Sequence, residues 1–230
     1  MEENRVLRGD RILRYTFRER VIHWCAALSY IYLLLTGLAF WSPWMFWIAV
    51  VLGGGFASRM LHPWVGLFYV GSVVYMFVIW RSDMRITEED HKWAKTIGAY
   101  VRNEEEQQLP ELAVRSWQRW APVDRFNLGQ KYLFWVMFWG GIALCLSGLV
   151  LWFSEYLPWN LRFLRYLSAL VHPLAFLLTL GGFIIHVYMG AAVVRGGFTS
   201  VLRGEVSKSW ARHHHRLWLE RITSEDVSQK

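Results

Sequence analysis

Four stretches of the chain stay apolar for long enough to cross a membrane. Residues 21–40, 61–80, 131–153 and 167–194 are dominated by Leu, Val, Ile, Phe, Trp, Ala and Gly. About 20 such residues in an α-helix span the hydrocarbon of a bilayer. A strand would leave its backbone groups unpaired in lipid, so each stretch is predicted to be a helix. A fifth run, residues 44–56, is apolar but short and holds Gly53, Gly54 and Gly55. It is expected to extend the first helix or to lie beside it as a re-entrant piece. The polar stretches 1–20, 81–130 and 195–230 then form an N-terminal segment, a middle loop and a tail of a single membrane domain covering residues 1–230.

The middle loop carries a second pattern. Trp93, Ile97, Tyr100 and Val101 fall on one helical face, with Lys92, Lys95 and Arg102 close by. That stripe predicts an amphipathic helix lying on the membrane surface. The run Glu104–Glu106 is expected to be solvated. No internal repeat or low-complexity tract is evident. The fold class expected is all-α, an integral membrane bundle of four transmembrane helices.

Composition agrees with a lipid-covered protein. The 230 residues are 54% hydrophobic and 17% aromatic, with 15 Trp, yet include 25 Lys and Arg. The net charge of +7 sits in the polar stretches between apolar runs, which argues against a nucleic-acid partner and for membrane lipid. The first segment carries Arg11, Arg14, Arg18 and Arg20, the middle loop Arg81, Arg85, Lys92, Lys95 and Arg125, and the tail Arg195, Arg203, Lys208, Arg212, Arg216 and Arg221. The two remaining loops are poorer, with Arg59 in one and Arg162 and Arg165 in the other. The positive-inside rule puts both termini and the middle loop in the cytoplasm. Cys25 and Cys145 lie in apolar runs and read as small hydrophobes. No Cys-x-x-Cys-His occurs, which excludes covalent c-type haem attachment. No cleavable signal peptide is expected.

Four of the eight histidines, His23, His62, His172 and His186, fall in the apolar spans. Ionisable groups in lipid are expensive, and a set of them points to function. His23 opens the first span on the cytoplasmic side. His62 opens the second and His172 lies early in the fourth, both spans entering from outside. His186 follows His172 by fourteen residues, close to four turns on the same helix face and roughly 21 Å deeper. Depth alone therefore pairs His62 with His172 at the outer level and His23 with His186 at the inner level. Two sites of two neutral imidazoles suit the iron of two b-type haems. Zinc would want further ligands, and none lie nearby. Gly37, Gly66, Gly140, Gly141, Gly148, Gly181 and Gly182 offer room for close helix packing or a flat cofactor. His213, His214 and His215, with Trp210 and Trp218, read as a tail against lipid or against the bundle. His91 is expected to be solvated.

In order and spacing, several short motifs resemble the gamma subunit, cytochrome b556, of respiratory membrane-bound formate dehydrogenases. They are Arg20-Val-Ile-His23-Trp24, Thr36-Gly37, Arg59-Met-Leu-His62-Pro63 and Phe126-Asn127-Leu-Gly129-Gln130-Lys131. His172, His186-Val-Tyr188-Met189 and the tail from Gly204 through Trp210 complete the set, and the resemblance covers nearly the whole chain. It implies two haem b groups, an iron–sulfur partner subunit, and a catalytic subunit with a molybdenum or tungsten pterin that oxidises formate. It implies anaerobic respiration at the bacterial inner membrane, with electrons passing from the outer haem to the inner haem and on to quinone, menaquinone or ubiquinone. The quinone site implied comprises Asn127, Gln130, Met189 and Gly190 beside His186. Two other readings stand next to it: the cytochrome b subunit of a hydrogenase or of a thiosulfate or polysulfide reductase, and a non-redox membrane anchor or transporter that uses the histidines for protons.

Overall fold

The computed structural model describes residues 9–95 and 123–228. The chain begins with strand β1 (Arg11–Leu13) and helix α1 (Phe17–Trp41), followed by a 3-10 turn (Pro43–Met45), α2 (Phe46–Val51), α3 (Gly54–Trp80) and α4 (Glu88–Ala94). Next come α5 (Leu128–Trp152), two 3-10 turns (Ser154–Tyr156 and Trp159–Leu161), α6 (Phe163–Tyr188) and a π-helical turn (Met189–Val193). The chain closes with α7 (Gly197–Arg203), β2 (Glu205–Ser207), α8 (Lys208–His214) and α9 (Arg216–Ser228). Among the described residues four helical stretches are long and apolar enough to cross a membrane: Phe17–Trp41, Gly54–Trp80, Leu128–Trp152 and Trp159–Val193.

Helices α1 and α5 start before their apolar runs do, because polar residues cap their first turns. Thr16 and Glu19 exchange bonds at the start of α1: the Glu19 carboxylate accepts from Thr16 N at 2.8 Å, and Thr16 Oγ1 accepts from Glu19 N at 3.3 Å. Thr87 and Asp90 form the same reciprocal cap on α4. Asn127 and Gln130 do so on α5, at 2.9 Å in both directions. Each cap satisfies two of the orphan N–H groups that every helix start exposes.

Residues 44–56 do not extend α1 but lie beside it. They fold back as the separate helix α2, whose Ile48 and Ala49 bury themselves against Leu35, Leu38 and Ala39 of α1. A turn through Leu52 and Gly53 then leads into α3, which starts at Gly54.

Two compact units emerge: residues 1–20, 80–134 and 185–230 form one, and residues 21–79 and 135–184 the other. The first, a polar unit, contains segments from all three basic stretches. It contains the one departure from an all-helical fold among the described residues, a two-stranded antiparallel sheet pairing Arg11 with Ser207, Ile12 with Val206 and Leu13 with Glu205. Ile12, Val206, Ala211, Trp218, Leu219 and Ile222 make its apolar core. Gly204 joins the segments: at φ +85° its backbone suits glycine, and a Cβ would come within 2.7 Å of Tyr15 O. Trp93 packs into a second cluster with Val123 and Leu128, so it does not face lipid as the amphipathic stripe predicted. Ile97, Tyr100, Val101 and the Glu104–Glu106 run lie outside the described residues. His91 is exposed, as expected.

Charge inside the polar unit is paired. Arg125 meets Glu19 at 2.5 Å and Asp83 at 2.8 Å, and Lys131 meets Asp90 at 2.6 Å. Trp80 Nε1 donates to Glu19 at 2.6 Å. Such partners are what make a buried charge tolerable. Arg14 is fully buried, its guanidinium 4.8 Å from the Trp218 ring centre, donating to Arg125 O and to His215 Nε2. His215 in turn donates from Nδ1 to Asp124 O at 2.8 Å. Burial first, then the Arg14 charge, holds His215 well below its ordinary pKa of 6.5. His214 is pushed down to about 3 by burial first, with His213 and Arg14 adding to it. The triple-histidine tail thus belongs to a packed core.

In the other, apolar unit, Ala26 and Tyr30 of α1, Tyr69 and Val73 of α3, Phe138 of α5 and Phe183 of α6 pack together. Leu170, Leu174, Leu177, Leu178 and Ile184 of α6 stay exposed, a face fit for lipid.

The depressed histidines set a pH dependence. Unfolding lets each one protonate, so the stability it contributes is complete above pH 6.5 and falls as pH drops below that, by up to about 1.4 kcal/mol per pH unit per histidine. Hydrogen-exchange protection of residues 208–228, corrected for intrinsic rates, should decline across that range. His215→Gln should flatten the decline.

Candidate functional site

The apolar unit brings two of the four intramembrane histidines together. His62 of α3 and His172 of α6 have ring centroids 6.4 Å apart and planes inclined by 55°. Two metal–nitrogen bonds of roughly 2.0–2.1 Å, plus about 1.2 Å from each nitrogen to its ring centre, separate trans imidazole centroids by roughly 6.4 Å. The spacing therefore fits two imidazoles facing one iron.

Each ring is held at its other nitrogen. Thr36 Oγ1 of α1 lies 2.7 Å from His62 Nδ1, and Ser147 Oγ of α5 lies 3.0 Å from His172 Nδ1. That leaves Nε2 of each ring as the nitrogen available to a metal. Phe40 packs edge-on to His62 at 5.5 Å. Gly148 gives His172 its room, since a Cβ there would come within 3.2 Å of the ring's Cε1. The donor set, one nitrogen from each of two oriented rings, matches the axial needs of a b-type haem.

Thr36 and Ser147 are not among the residues that the sequence alone singles out for the site. A signal is nevertheless present. Each hydroxyl precedes a glycine, Thr36-Gly37 and Ser147-Gly148, and each histidine precedes a proline, His62-Pro63 and His172-Pro173. The hydroxyl and its histidine are 26 residues apart in one case and 25 in the other. A short repeat, invisible as overall sequence similarity, therefore does exist.

His23 stands half-buried in α1 of the apolar unit, edge-on to Trp24 at 5.7 Å. His186 belongs to the polar unit and is exposed on α6. Asn127, Gln130, Met189 and Gly190 fall in the polar unit with it. Met189 and Gly190 open the π-helical turn, a distortion that often marks functional positions. Among the described residues no group of three or more His, Cys, Asp or Glu could hold a metal ion.

Helix α5 provides the close approaches. A Cβ on Gly140 would run into Thr179 Cγ2 of α6, and one on Gly141 would meet the Tyr69 ring of α3 at 3.3 Å. These glycines admit neighbouring side chains. A Cβ on Gly181 would meet nothing within 4 Å, and one on Gly37 only Phe176 at 4.0 Å.

The prokaryotic cytochrome b561 family matches residues 14–203. The formate dehydrogenase cytochrome b556(fdo) subunit of Escherichia coli K12 is 30% identical over 216 residues, 94% of this chain and 95% of that protein. The nitrate-inducible formate dehydrogenase cytochrome b556(Fdn) subunit of the same strain is 27% identical over 226 residues, 97% of each chain. The formate dehydrogenase cytochrome b556 subunit of Haemophilus influenzae is 27% identical over 221 residues, 95% of this chain and 86% of its own.

Gly140→Ala should lower the melting temperature of the detergent-solubilised protein, by an overpacking cost of about 1–3 kcal/mol. Gly181→Ala should leave it within about 0.5 kcal/mol. Equal melting of the two variants would contradict the packing described for α5.

Proposed function

Since the chain belongs to the prokaryotic cytochrome b561 family, whose members are b-type cytochromes, we propose that it is the di-haem membrane subunit of a formate dehydrogenase. In this reading it takes electrons from an iron–sulfur partner, in a complex whose molybdenum or tungsten pterin subunit oxidises formate, and delivers them to quinone. The facing rings of His62 and His172, 6.4 Å apart, carry the reading. The second haem of this reading rests on the sequence alone, which pairs His23 with His186 by depth. Bound haem supplies one-electron exchange between ferric and ferrous iron.

The chain's own residues do the rest. Thr36 and Ser147 hold the Nδ1 atoms of His62 and His172, and these two histidines would hold the haem iron through Nε2. Asn127 and Gln130 commit their amide oxygens to capping α5, which leaves their NH2 groups to donate to a quinone carbonyl. The basic stretches of the sequence, read by the positive-inside rule, favour a cytoplasmic side for both termini and the middle loop at the inner membrane. Quinone takes up two protons with two electrons, and on that side the protons come from the cytoplasm. Each electron moved inward across 100 mV stores about 2.3 kcal/mol.

Two measurements test this. His62→Ala and His172→Ala should each remove the same spectral component from the reduced-minus-oxidised spectrum, and His23→Ala and His186→Ala the other. Loss of different components within one pair would refute the pairing. Asn127→Asp keeps a capping acceptor and removes the amide donor, whereas Asn127→Ala removes both. Each should slow quinone reduction roughly 5- to 100-fold, the equivalent of about 1–3 kcal/mol, with both haems retained. Normal turnover in Asn127→Asp would leave Asn127 as a cap and nothing more.

A further inference from the structure

We propose that Thr36 and Ser147 are positioning residues: each locks its imidazole, His62 or His172, in the tautomer and orientation that turns Nε2 toward the iron. The proposal rests on reading those two histidines as axial ligands.

The direction of each hydrogen bond follows from counting protons. A hydroxyl has one proton and two lone pairs. Thr36 Oγ1 lies 2.9 Å from Tyr32 O and 3.2 Å from Leu33 O of its own helix. Ser147 Oγ lies 2.6 Å from Ala143 O and 3.3 Å from Leu144 O. A carbonyl oxygen only accepts, so each hydroxyl proton goes to its own helix. Toward the histidine the hydroxyl then accepts, and the imidazole donates from Nδ1. A neutral ring with its proton on Nδ1 keeps its Nε2 lone pair for metal. The backbone of α1 and α5 thereby sets the protonation pattern of rings on α3 and α6.

Both latches are inside the apolar unit, where water does not compete. Thr36 has no exposed surface, and Ser147 is 5% exposed. The device occurs twice, with the same order of parts: hydroxyl then glycine on one helix, histidine then proline on a later one, 26 and 25 residues away. Two independent occurrences at one site are hard to assign to packing alone, since a merely space-filling residue there would not need an oxygen. Hydrogen bonding at the remote nitrogen raises the electron density of a ligating imidazole. It also fixes the angle between the two ring planes.

The test uses the purified complex, with Thr36→Val and Ser147→Ala deleting the hydroxyls and Thr36→Ser and Ser147→Thr retaining them. Haem content is read from reduced-minus-oxidised absorbance, midpoint potentials from redox titration, and ring orientation from the low-spin ferric EPR signal. Both deletions should raise the potential of one haem, the same one in each, and move its EPR signal, while the other haem keeps its wild-type values. The hydroxyl-retaining variants should match wild type. Loss of that haem in Thr36→Val with retention in Thr36→Ser would support the latch equally. Unchanged potentials and EPR in both deletions, or equal shifts in the retaining variants, would overturn it. His62→Ala separates the two ideas. If it loses one haem while the deletions are silent, only the latch falls; if it loses none, the ligand assignment falls.

Discussion

Hydrocarbon offers no water, so every polar group in the apolar unit has to find its partner within the protein. Helices meet that demand for the backbone. The hydroxyls of Ser29, Thr36, Ser72, Ser147 and Thr179 meet it in one manner, each donating to the carbonyl four residues back. Two of these hydroxyls then have lone pairs facing a histidine. The placement of His62 and His172 therefore follows from the same accounting that forces the helices. An imidazole in lipid needs a partner for its N–H and a use for its lone pair.

The polar unit solves the opposite problem, that of bringing charges together without leaving any stranded. Arg125 is its junction. One guanidinium joins Glu19 at the start of α1, Asp83 just after α3 and the backbone of Arg14 beyond β1. Segments separated by more than a hundred residues are thus tied through one side chain. Glu19 has two duties, since it also caps α1. The capping of α1 and the burial of Arg125 are consequently linked.

How much of this could be read from sequence depended on range. The spans were legible, because a run of apolar residues is a local property. The capping pairs Thr16 with Glu19, Thr87 with Asp90, and Asn127 with Gln130 were legible in principle as three-residue spacings, and the first and last explain why α1 and α5 begin upstream of their apolar runs. The β1–β2 pair was not, for three-residue strands show no period and their partners lie almost two hundred residues apart. Trp93 misled for a related reason. Its helical spacing is that of a membrane-surface stripe, but its packing partners Val123 and Leu128 come from the far end of the same loop. His62 and His172 could be paired by depth, whereas the hydroxyls that hold them could not, because depth does not say which way a side chain turns.

Depth also has a finer grain than two levels. Tyr30 is seven residues beyond His23, Tyr69 seven beyond His62, and Thr179 midway between His172 and His186. These three are buried, and Tyr30 lies 5.5 Å from Tyr69 and 5.1 Å from Phe183, ring centre to ring centre. The glycines of α5 are spaced to admit them, Gly140 against Thr179 and Gly141 against Tyr69. Seven residues is two helical turns, about 10.5 Å, so an aromatic layer fills the interior between the levels. The packed rings of Tyr30, Tyr69 and Phe183 therefore occupy that depth of the apolar unit.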